Sequence, residues 1–391
     1  MNNNRILIIH REGNAFYNPS LHALITYLGE FGYYCDILAQ KKNIVQTNLP
    51  DASWIFEKPL LRRLKAIAIN VLCIGIITRF IVRYQWRNSP KSRYSLIIGI
   101  DRQGLIEASY LSQIMQIPYH FISFEIMFEK ETFKRFKHLE REASKHVTLW
   151  ITQDEIRAEK LAQENHLDPL KVFYLPIASR GLGKIGHTRL RDNLLILKEK
   201  HVAIAIGSIE KWTMIDDILA SLHLWPENWA LIVHDRYGFT KKQIADLEKY
   251  NSLIGSRLFV SQSTAENIDD MGDILSGVSY GLAFYCTVEG HRYCGDNLKY
   301  LGRASGKIAT FFRYGIPVIA NDIGIMANDI KEYRLGHVVK APSYIPELLK
   351  NTKHLDSIEH SHNCQKYFSS KMDFNLYAEQ LVTKMHIYPH K

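Results

Sequence analysis

A serine, a glycine and a lysine stand together where a helix is predicted to begin in the C-terminal half of the chain. Ser305, Gly306 and Lys307 come directly before the largely apolar run 308–314. Small residues at a helix start leave backbone N–H groups free to face an anion, and the helix dipole favours negative charge there. Gly306 allows the backbone to approach closely, and Lys307 adds a full positive charge. The pattern predicts a diphosphate site, with a plain helix cap beside a surface lysine as the alternative.

Several short motifs follow one another in the order found in a known protein family. The Ser-Gly-Lys of 305–307 precedes a Gly-Ile-Pro-Val-Ile segment that begins eight residues after the lysine. The other motifs are Asn18-Pro19-Ser20-Leu21, Ser123-Phe124-Glu125, Ile151-Thr152-Gln153-Asp154 and Ala205-Ile206-Gly207-Ser208-Ile209. Together they resemble the motifs of bacterial GT-B glycosyltransferases, in particular the family-four (group 1) type that builds polysaccharides. The resemblance spans nearly the whole chain.

This resemblance implies a fold and a donor site. The implied fold is α/β, with two Rossmann-like domains facing across a cleft. The second domain is then expected to bind a nucleoside-diphosphate sugar as the donor substrate, with no separate cofactor. Carried over position by position, the implied donor-binding residues are Gly207, Ser208, Lys211, Asn297, Ser305, Gly306, Lys307 and Thr310.

The resemblance also implies an activity. A hexosyltransferase of this type moves a sugar to a polysaccharide or lipid-linked acceptor, retains the anomeric configuration and needs no metal. The sugar leaves through an oxocarbenium-like transition state, and a lysine with fixed N–H groups stabilises the charge that grows on the diphosphate. Two alternatives stay open: a non-catalytic two-domain binder of a phosphorylated ligand, and a nucleotide-sugar epimerase of the same fold.

The sequence departs from the family pattern at the donor site. Thr310 stands where many members have a glutamate that holds the ribose hydroxyls, and a threonine offers only one uncharged hydroxyl. Ser208 and Thr213 replace an arginine and a lysine that neutralise the donor phosphates, and Lys211 is the nearby substitute. The glycine-rich loop after the first strand is reduced to residues 10–14. These departures concern the donor contacts and leave the predicted fold unchanged, and the missing glutamate supports the non-catalytic alternative.

Acidic residues at predicted strand ends in the N-terminal half are the candidate catalytic groups. A retaining enzyme of this kind needs no protein nucleophile, whereas an inverting enzyme needs a base in the first domain. Glu125 and Asp101 are the candidates we select, and Glu12 and His10 stand at a comparable strand end. Asp101 has an alternative role as the cap of a helix predicted at 105–115.

Two groups of residues have side chains of the types that bind metals. Cys286, His291 and Cys294 are close in sequence, but their spacing fits no common zinc motif. The acidic run at 269–273 is typical of a solvated helix start. We therefore expect no metal site.

The pattern of apolar runs predicts the domain organisation. Short runs rich in Ile, Val and aromatic residues alternate with helical patterns, which indicates parallel strands covered by helices on both faces. The alternation stops after residue 176 and restarts near 202, and 391 residues exceed what one core usually organises. We predict an acceptor-binding domain at 1–178, a linker at 179–200, and a nucleotide-sugar-binding domain at 201–391 whose final helix returns toward the first domain.

Most of the net charge lies in the first hundred residues. This part holds thirteen Lys and Arg against five Asp and Glu, a net of +8 out of +9 for the chain. A basic surface on one domain indicates an anionic partner such as phospholipid or a phosphorylated substrate. Because no zinc finger, aromatic RNA-binding signature or basic recognition helix is present, we expect no nucleic acid.

One apolar segment, 60–87, does not fit the alternation of strands and helices. Its uncharged core, 66–78, is thirteen residues long, whereas about twenty are needed to span a bilayer. Basic residues lie at both ends, and the acceptor-side or membrane-side candidates are Arg62, Arg63, Arg79, Arg83 and Arg87. An apolar helix with basic edges is typical of an interfacial helix on an anionic membrane. The alternative is a buried helix with solvated ends.

Composition favours the cytoplasm. Five scattered cysteines, an odd number, suit reduced thiols better than a disulfide framework. No signal peptide precedes the first apolar run at 6–9. We expect a cytoplasmic protein, peripheral at the inner face of the cell membrane, that serves polysaccharide synthesis for the cell envelope.

Overall fold

The computed structural model describes residues 4–11, 18–39, 51–186, 189–235, 238–240, 243–247, 250, 257–261, 270–291, 293–352 and 354–388. The chain divides into two compact units. The first is Met1–Ile177 together with Tyr377–Lys391, and the second is Ala178–Leu376. Each unit is built on one parallel sheet.

The first unit contains a seven-stranded parallel sheet in the order β3-β2-β1-β4-β5-β6-β7. The central strand β4 is fully buried, and its neighbour β1 is buried from Ile6 onward, as expected for parallel strands covered by helices on both faces. The edge strand β3 is half-exposed and was not predicted from the sequence. The strands are β1 (Arg5–His10), β2 (Tyr34–Ala39), β3 (Ala52–Phe56), β4 (Leu96–Ile100), β5 (Tyr119–Ile122), β6 (Leu149–Thr152) and β7 (Val172–Tyr174).

In the described part of the N-terminal segment, six α-helices accompany this sheet. They are α1 (Pro19–Glu30), α2 (Pro59–Ile67), α3 (Gly75–Trp86), α4 (Asp101–Met115), α5 (Lys134–Ser144) and α6 (Glu155–Asn165). The side chain of Asn18 caps α1 by accepting a hydrogen bond from the backbone N of Leu21 (3.1 Å). The C-terminal segment returns to this unit, where the backbone O of Met385 lies 3.4 Å from Nε2 of His120.

The segment at 60–87 is not one helix. A π-helical turn, Ala68–Leu72, follows α2, and Cys73 adopts a left-handed conformation (φ 51°) before α3 begins. Gly75 at the start of α3 packs so closely that a Cβ atom there would lie 2.6 Å from the Tyr110 hydroxyl. The prediction of a single helix is therefore wrong. The alternative of a buried helix is also wrong, because most side chains of α2 and α3 are exposed. No helix in the described part of the chain is long and apolar enough to cross a bilayer.

The second unit contains a six-stranded parallel sheet in the order β10-β9-β8-β11-β12-β13. Its strands are β8 (His201–Ile206), β9 (Trp229–His234), β10 (Leu258–Ser261), β11 (Tyr280–Ala283), β12 (Val318–Ala320) and β13 (Gly336–Val338). The helices are α7 (Leu190–Asn193), α8 (Ile215–Ser221), α9 (Gly272–Leu275), α10 (Gly306–Arg313), α11 (Ile325–Glu332), α12 (Ile345–Asn351), α13 (His354–Tyr367) and α14 (Asn375–Lys384), the last of which continues into the first unit. The predicted α/β class is confirmed.

The segment predicted as a linker, 179–200, is instead part of the second unit. The guanidinium of Arg313 donates to the backbone O of Gly181 (2.8 Å), and the backbone N of Gly183 donates to the backbone O of Arg313 (3.0 Å). A Cβ atom at Gly183 would lie 2.5 Å from the ring of Tyr314, so only glycine fits there. These contacts hold the segment beside the C-terminal end of α10.

Candidate functional site

A crevice is expected in the second unit where the strand order reverses. Strands β8 and β11 are neighbours in the sheet, and the chain leaves them toward opposite sides. In sheets of this type, ligands bind outside the carboxyl ends of the two strands at such a reversal. Gly207 follows β8 in the left-handed region (φ 92°), which favours glycine. Its Cα lies close to the helix start predicted as a diphosphate site, since a Cβ atom there would be 3.7 Å from Cε of Lys307.

Ser305 forms the cap of α10. Its Oγ accepts a hydrogen bond from the backbone N of Ile308 (3.3 Å) and lies 2.6 Å from the hydroxyl of Tyr285, in the loop after β11. Both side chains are buried. The first turn of α10 carries no acidic residue, so the positive end of the helix dipole is not neutralised by its own side chains. The helix start is therefore fixed and electropositive.

Lys307 lies beside a pair of stacked aromatic rings. Its Nζ is 5.1 Å from the ring centroid of Tyr285 and 5.8 Å from that of Trp212. The two rings are 5.9 Å apart and nearly parallel, at 23°. Both distances to the ammonium fall within cation–π range. The aromatic pair therefore stabilises the positive charge of Lys307 beside the start of α10.

Two neighbouring segments hold the aromatic pair in place. The backbone N of Tyr285 donates to Oδ1 of Asn321 (2.9 Å), and Nδ2 of Asn321 donates to the backbone O of Tyr285 (2.8 Å). The backbone O of Trp212 accepts from the backbone N of Cys286 (2.9 Å). Loops after β8, β11 and β12 are thus joined around Lys307. None of Tyr285, Trp212 and Asn321 was selected from the sequence, although Tyr285 and Asn321 lie within two residues of the ends of β11 and β12.

The remaining predicted donor residues have different surroundings. Thr310 is buried one turn further along α10, and its hydroxyl donates to the backbone O of Gly306 (2.9 Å). Lys211 has an exposed side chain in the turn that also carries Trp212. Ser208 is half-buried next to Gly207. Asn297 is buried in a separate turn, where its Nδ2 donates to the backbone O of Tyr293 (3.1 Å). The structure thus brings Gly207, Ser305, Gly306 and Lys307 together.

Asp101 holds a turn in the first unit. It follows β4 with a positive φ of 51°, an uncommon conformation for a residue with a side chain. Its Oδ1 accepts hydrogen bonds from the backbone N of Phe124 (2.8 Å) and of Glu125 (3.0 Å). The alternative role as cap of a helix at 105–115 is wrong, because α4 begins at Asp101 itself and the carboxylate is directed to the turn after β5.

Glu125 belongs to a buried charged group around Arg157. The guanidinium of Arg157 donates to Oε1 of Gln153 (2.7 Å) and to the backbone O of Phe124 (2.7 Å). Burial lowers the pKa of Arg157, and the negative charges of Glu125, Asp154 and Asp101 act in the opposite direction. The two predicted catalytic carboxylates therefore lie in one electrostatic group at the carboxyl ends of β4 and β5.

His10 ends β1, the strand beside β4, and is paired in register with Ile100. Burial lowers the pKa of His10 to about 4, so the imidazole is neutral at pH 7. Among the described residues, no hydrogen-bond partner faces its Nδ1. The neighbouring candidate Glu12, with the rest of the loop at 12–17, lies outside the described residues.

Of the two groups considered as metal ligands, the acidic run at 269–273 is only partly described, whereas Cys286, His291 and Cys294 are all described. Asp269 lies outside the described residues. Cys286 and Cys294 are free thiols. Within the described ranges, no three His, Cys, Asp or Glu side chains are grouped so as to hold a metal ion.

Solved structures similar to this chain match it over almost its full length. HepE from Anabaena, solved in complex with UDP-glucose, gives a TM-score of 0.72 at 13% identity over 98% of this chain and 99% of that one. Sucrose-phosphate synthase from Thermosynechococcus elongatus gives 0.68 at 11% identity over 98% of both chains. WaaG, a glycosyltransferase involved in lipopolysaccharide biosynthesis, gives 0.66 at 13% identity over 97% and 99%. The chain has the GT-B fold.

The GT-B likeness confirms the predicted pair of Rossmann-like domains. It rests on structure alone, since no family model and no curated protein matches the sequence. Within this GT-B fold, Gly207 and Lys307 belong to the second Rossmann-like domain. That domain is the one for which the motifs predict nucleotide-sugar binding.

Proposed function

We propose that this protein is a glycosyltransferase that moves a sugar from a nucleoside-diphosphate sugar to a polysaccharide or lipid-linked acceptor, with retention of anomeric configuration. The observation that carries the proposal is the group formed by Lys307, the capped start of α10 and Gly207 at the reversal of strand order. HepE, which has the same fold, has been solved with UDP-glucose and with UDP. A diphosphate is the ligand that this electropositive helix start suits best.

The donor half of the reaction follows from these charges. As the bond between sugar and diphosphate breaks, negative charge grows on the leaving oxygens and positive charge on the sugar ring. The Lys307 ammonium and the first N–H groups of α10 are suited to stabilise the leaving diphosphate. Because Tyr285 fixes the cap of this helix through Ser305, these N–H groups are held in place before the donor arrives. We therefore propose transfer without a metal or cofactor, with Ser208, Lys211, Asn297 and Thr310 as further donor contacts.

The acceptor half is proposed for the first domain. The Asp101 carboxylate is used to bind two backbone N–H groups, which suits a positioning role. Glu125, which Asp101 positions, is the carboxylate we propose to face the acceptor hydroxyl. We further propose that the protein works in polysaccharide synthesis at the inner face of the cell membrane, on the support of the exposed apolar and arginine side chains at 60–87.

A panel of nucleoside diphosphates and their sugars tests the donor half. A ligand present at 100 times its dissociation constant stabilises the folded protein by about 2.7 kcal/mol, which a thermal shift detects. We expect at least one uridine or guanosine diphosphate to do so, and transfer from its sugar to persist in EDTA. If no nucleotide binds, the proposal fails, and if activity requires added magnesium or manganese, its metal-free part fails.

A non-catalytic binder is the second candidate. Thr310 replaces the carboxylate expected over the ribose, and its hydroxyl is already bonded to the backbone of its own helix. Nucleotide binding with neither transfer to acceptors nor conversion of the nucleotide sugar would favour this second function. Conversion of the sugar without an acceptor would instead indicate an epimerase.

A further inference from the structure

The helices α2 and α3 expose apolar side chains on a scale that is unusual for a water-facing surface. Ile76 is 84% exposed, Phe80 71% and Leu60 68%. Together these helices and the turn between them carry ten exposed large apolar residues: Leu60, Leu64, Ile67, Val71, Leu72, Ile74, Ile76, Ile77, Phe80 and Tyr84. We call this surface the apolar face of 60–84. Contiguous exposed apolar patches of this kind mark sites of association with a protein or a membrane.

The helix α2 has the inverse of the usual burial pattern. Its only buried side chain is the charged Lys65, while Leu60, Leu64 and Ile67 are exposed. Nζ of Lys65 donates to Oε1 of Gln85 in α3 and to Oε1 of Glu107 in α4, both at 2.6 Å. Lys65 also forms an ion pair with Glu57. These bonds hold α2 against the domain by its polar side and leave the leucines exposed, so the apolar face is built into the fold.

The helix α3 has a buried side and an exposed side, and the exposed side carries an apolar stripe next to an arginine stripe. Its inner side is formed by Thr78, Val82 and Trp86, which are buried at a spacing of four residues. The exposed side carries Ile76, Phe80 and Tyr84 at the same spacing, next to the exposed Arg79, Arg83 and Arg87. Apolar side chains bordered by cations on one helix face match the layered structure of a bilayer surface, where acyl chains lie beneath anionic headgroups.

We propose that the apolar face of 60–84 docks on an anionic lipid bilayer, with its apolar side chains entering the leaflet and its arginines at the headgroups. A second copy of this chain is a poorer occupant, because a symmetric contact would bring the exposed Arg62, Arg63, Arg79, Arg83 and Arg87 of both copies together. The docking stands apart from the proposed chemistry. Only its link to a membrane-borne acceptor rests on the proposed function.

Vesicle co-sedimentation tests the docking. Wild-type protein is expected to bind phosphatidylcholine vesicles that contain phosphatidylglycerol, and to be released as salt is raised. The variant Ile76→Glu/Phe80→Glu should lose binding by about tenfold or more. The matched control is Leu170→Glu, because Leu170 is 90% exposed in the same domain but outside the apolar face. Equal binding by the Ile76→Glu/Phe80→Glu variant and by wild type would overturn the proposal.

A second variant separates the contribution of the arginine charges from that of the apolar side chains that enter the leaflet. Replacing Arg79, Arg83 and Arg87 by Gln should weaken binding to anionic vesicles by about a hundredfold. The matched control replaces Lys145 and Lys171, two exposed cations of the same domain, by Gln.

Light scattering tests the other occupant, a second copy of this chain. A wild-type dimer that Ile76→Glu/Phe80→Glu dissociates would also overturn the proposal. Thermal shift by nucleoside diphosphates, measured on every variant, reports the donor site separately, so failure of the docking is distinguishable from failure of the proposed function.

Discussion

The hydroxyl of Tyr285 lies 2.6 Å from Oγ of Ser305, and this bond joins the loop after β11 to the cap of α10. The same tyrosine ring contacts the ammonium of Lys307. One side chain therefore orients both the helix start and the charged group that we propose to hold the donor diphosphate.

Tyr285→Phe separates these two roles, because the ring remains and the hydroxyl is lost. A hydrogen bond of this kind contributes about 1 kcal/mol, so the dissociation constant for the nucleotide should rise about fivefold if the cap loosens. Titration calorimetry checks this. Tyr314→Phe is the matched control, since its hydroxyl accepts from the backbone N of Met271 (3.0 Å) beyond the other end of α10. Equal weakening by both variants would show that the Ser305 contact has no special role.

Lys307→Ala tests the charge itself. Loss of a group that stabilises a leaving diphosphate should lower kcat by about a hundredfold or more while the protein stays folded. Lys299→Ala removes an exposed lysine paired with Asp296 and serves as the control. The measurement is steady-state transfer with circular dichroism as the check on folding. Near-normal turnover of the Lys307→Ala variant would contradict the proposed site.

The helix start at Ser305 was predictable because the signal is local: small residues and a lysine directly precede an apolar run. Tyr285 was missed because the apolar run 281–285 looks like one strand, whereas pairing with β12 ends at Ala283. The left-handed Cys73 carries no sequence signal, since nothing distinguishes it from a residue within a helix. The burial of Lys65 depends on Glu107, which is 42 residues away and reaches it only in the folded domain.

Thr310→Glu tests whether α10 lies over the ribose. A carboxylate at this buried position should lower the stability of the free protein, because it is desolvated without a partner. Bonded to the ribose hydroxyls, the same carboxylate should enlarge the thermal shift produced by a nucleoside diphosphate. Thr310→Ser keeps the hydroxyl and should behave as wild type. An unchanged nucleotide-induced shift in the glutamate variant would place the ribose elsewhere.

Lys65→Met tests the bonds that hold α2. Arg11 and Lys65 balance the carboxylates of Glu57 and Glu107 within a buried group. Removing one cation leaves a buried negative charge uncompensated, which should lower the free energy of unfolding by about 3 to 5 kcal/mol. Urea unfolding of Lys65→Met/Glu57→Gln should show partial recovery, because the added substitution removes the excess charge. Arg62→Met, on the exposed side of α2, should be nearly neutral.

His10 makes stability depend on pH in a defined window. Burial lowers its pKa from 6.5 to about 4, so between these values the unfolded chain binds a proton that the folded protein does not. The contribution of His10 to the free energy of unfolding is therefore constant above pH 6.5. It decreases as the pH falls toward 4, by up to about 1.4 kcal/mol per pH unit. His10→Phe keeps a ring but cannot be protonated, so its urea midpoint should fall less than that of wild type between pH 7 and 5. His138→Phe, at an exposed position, is the control, and parallel pH profiles for wild type and His10→Phe would refute the assignment.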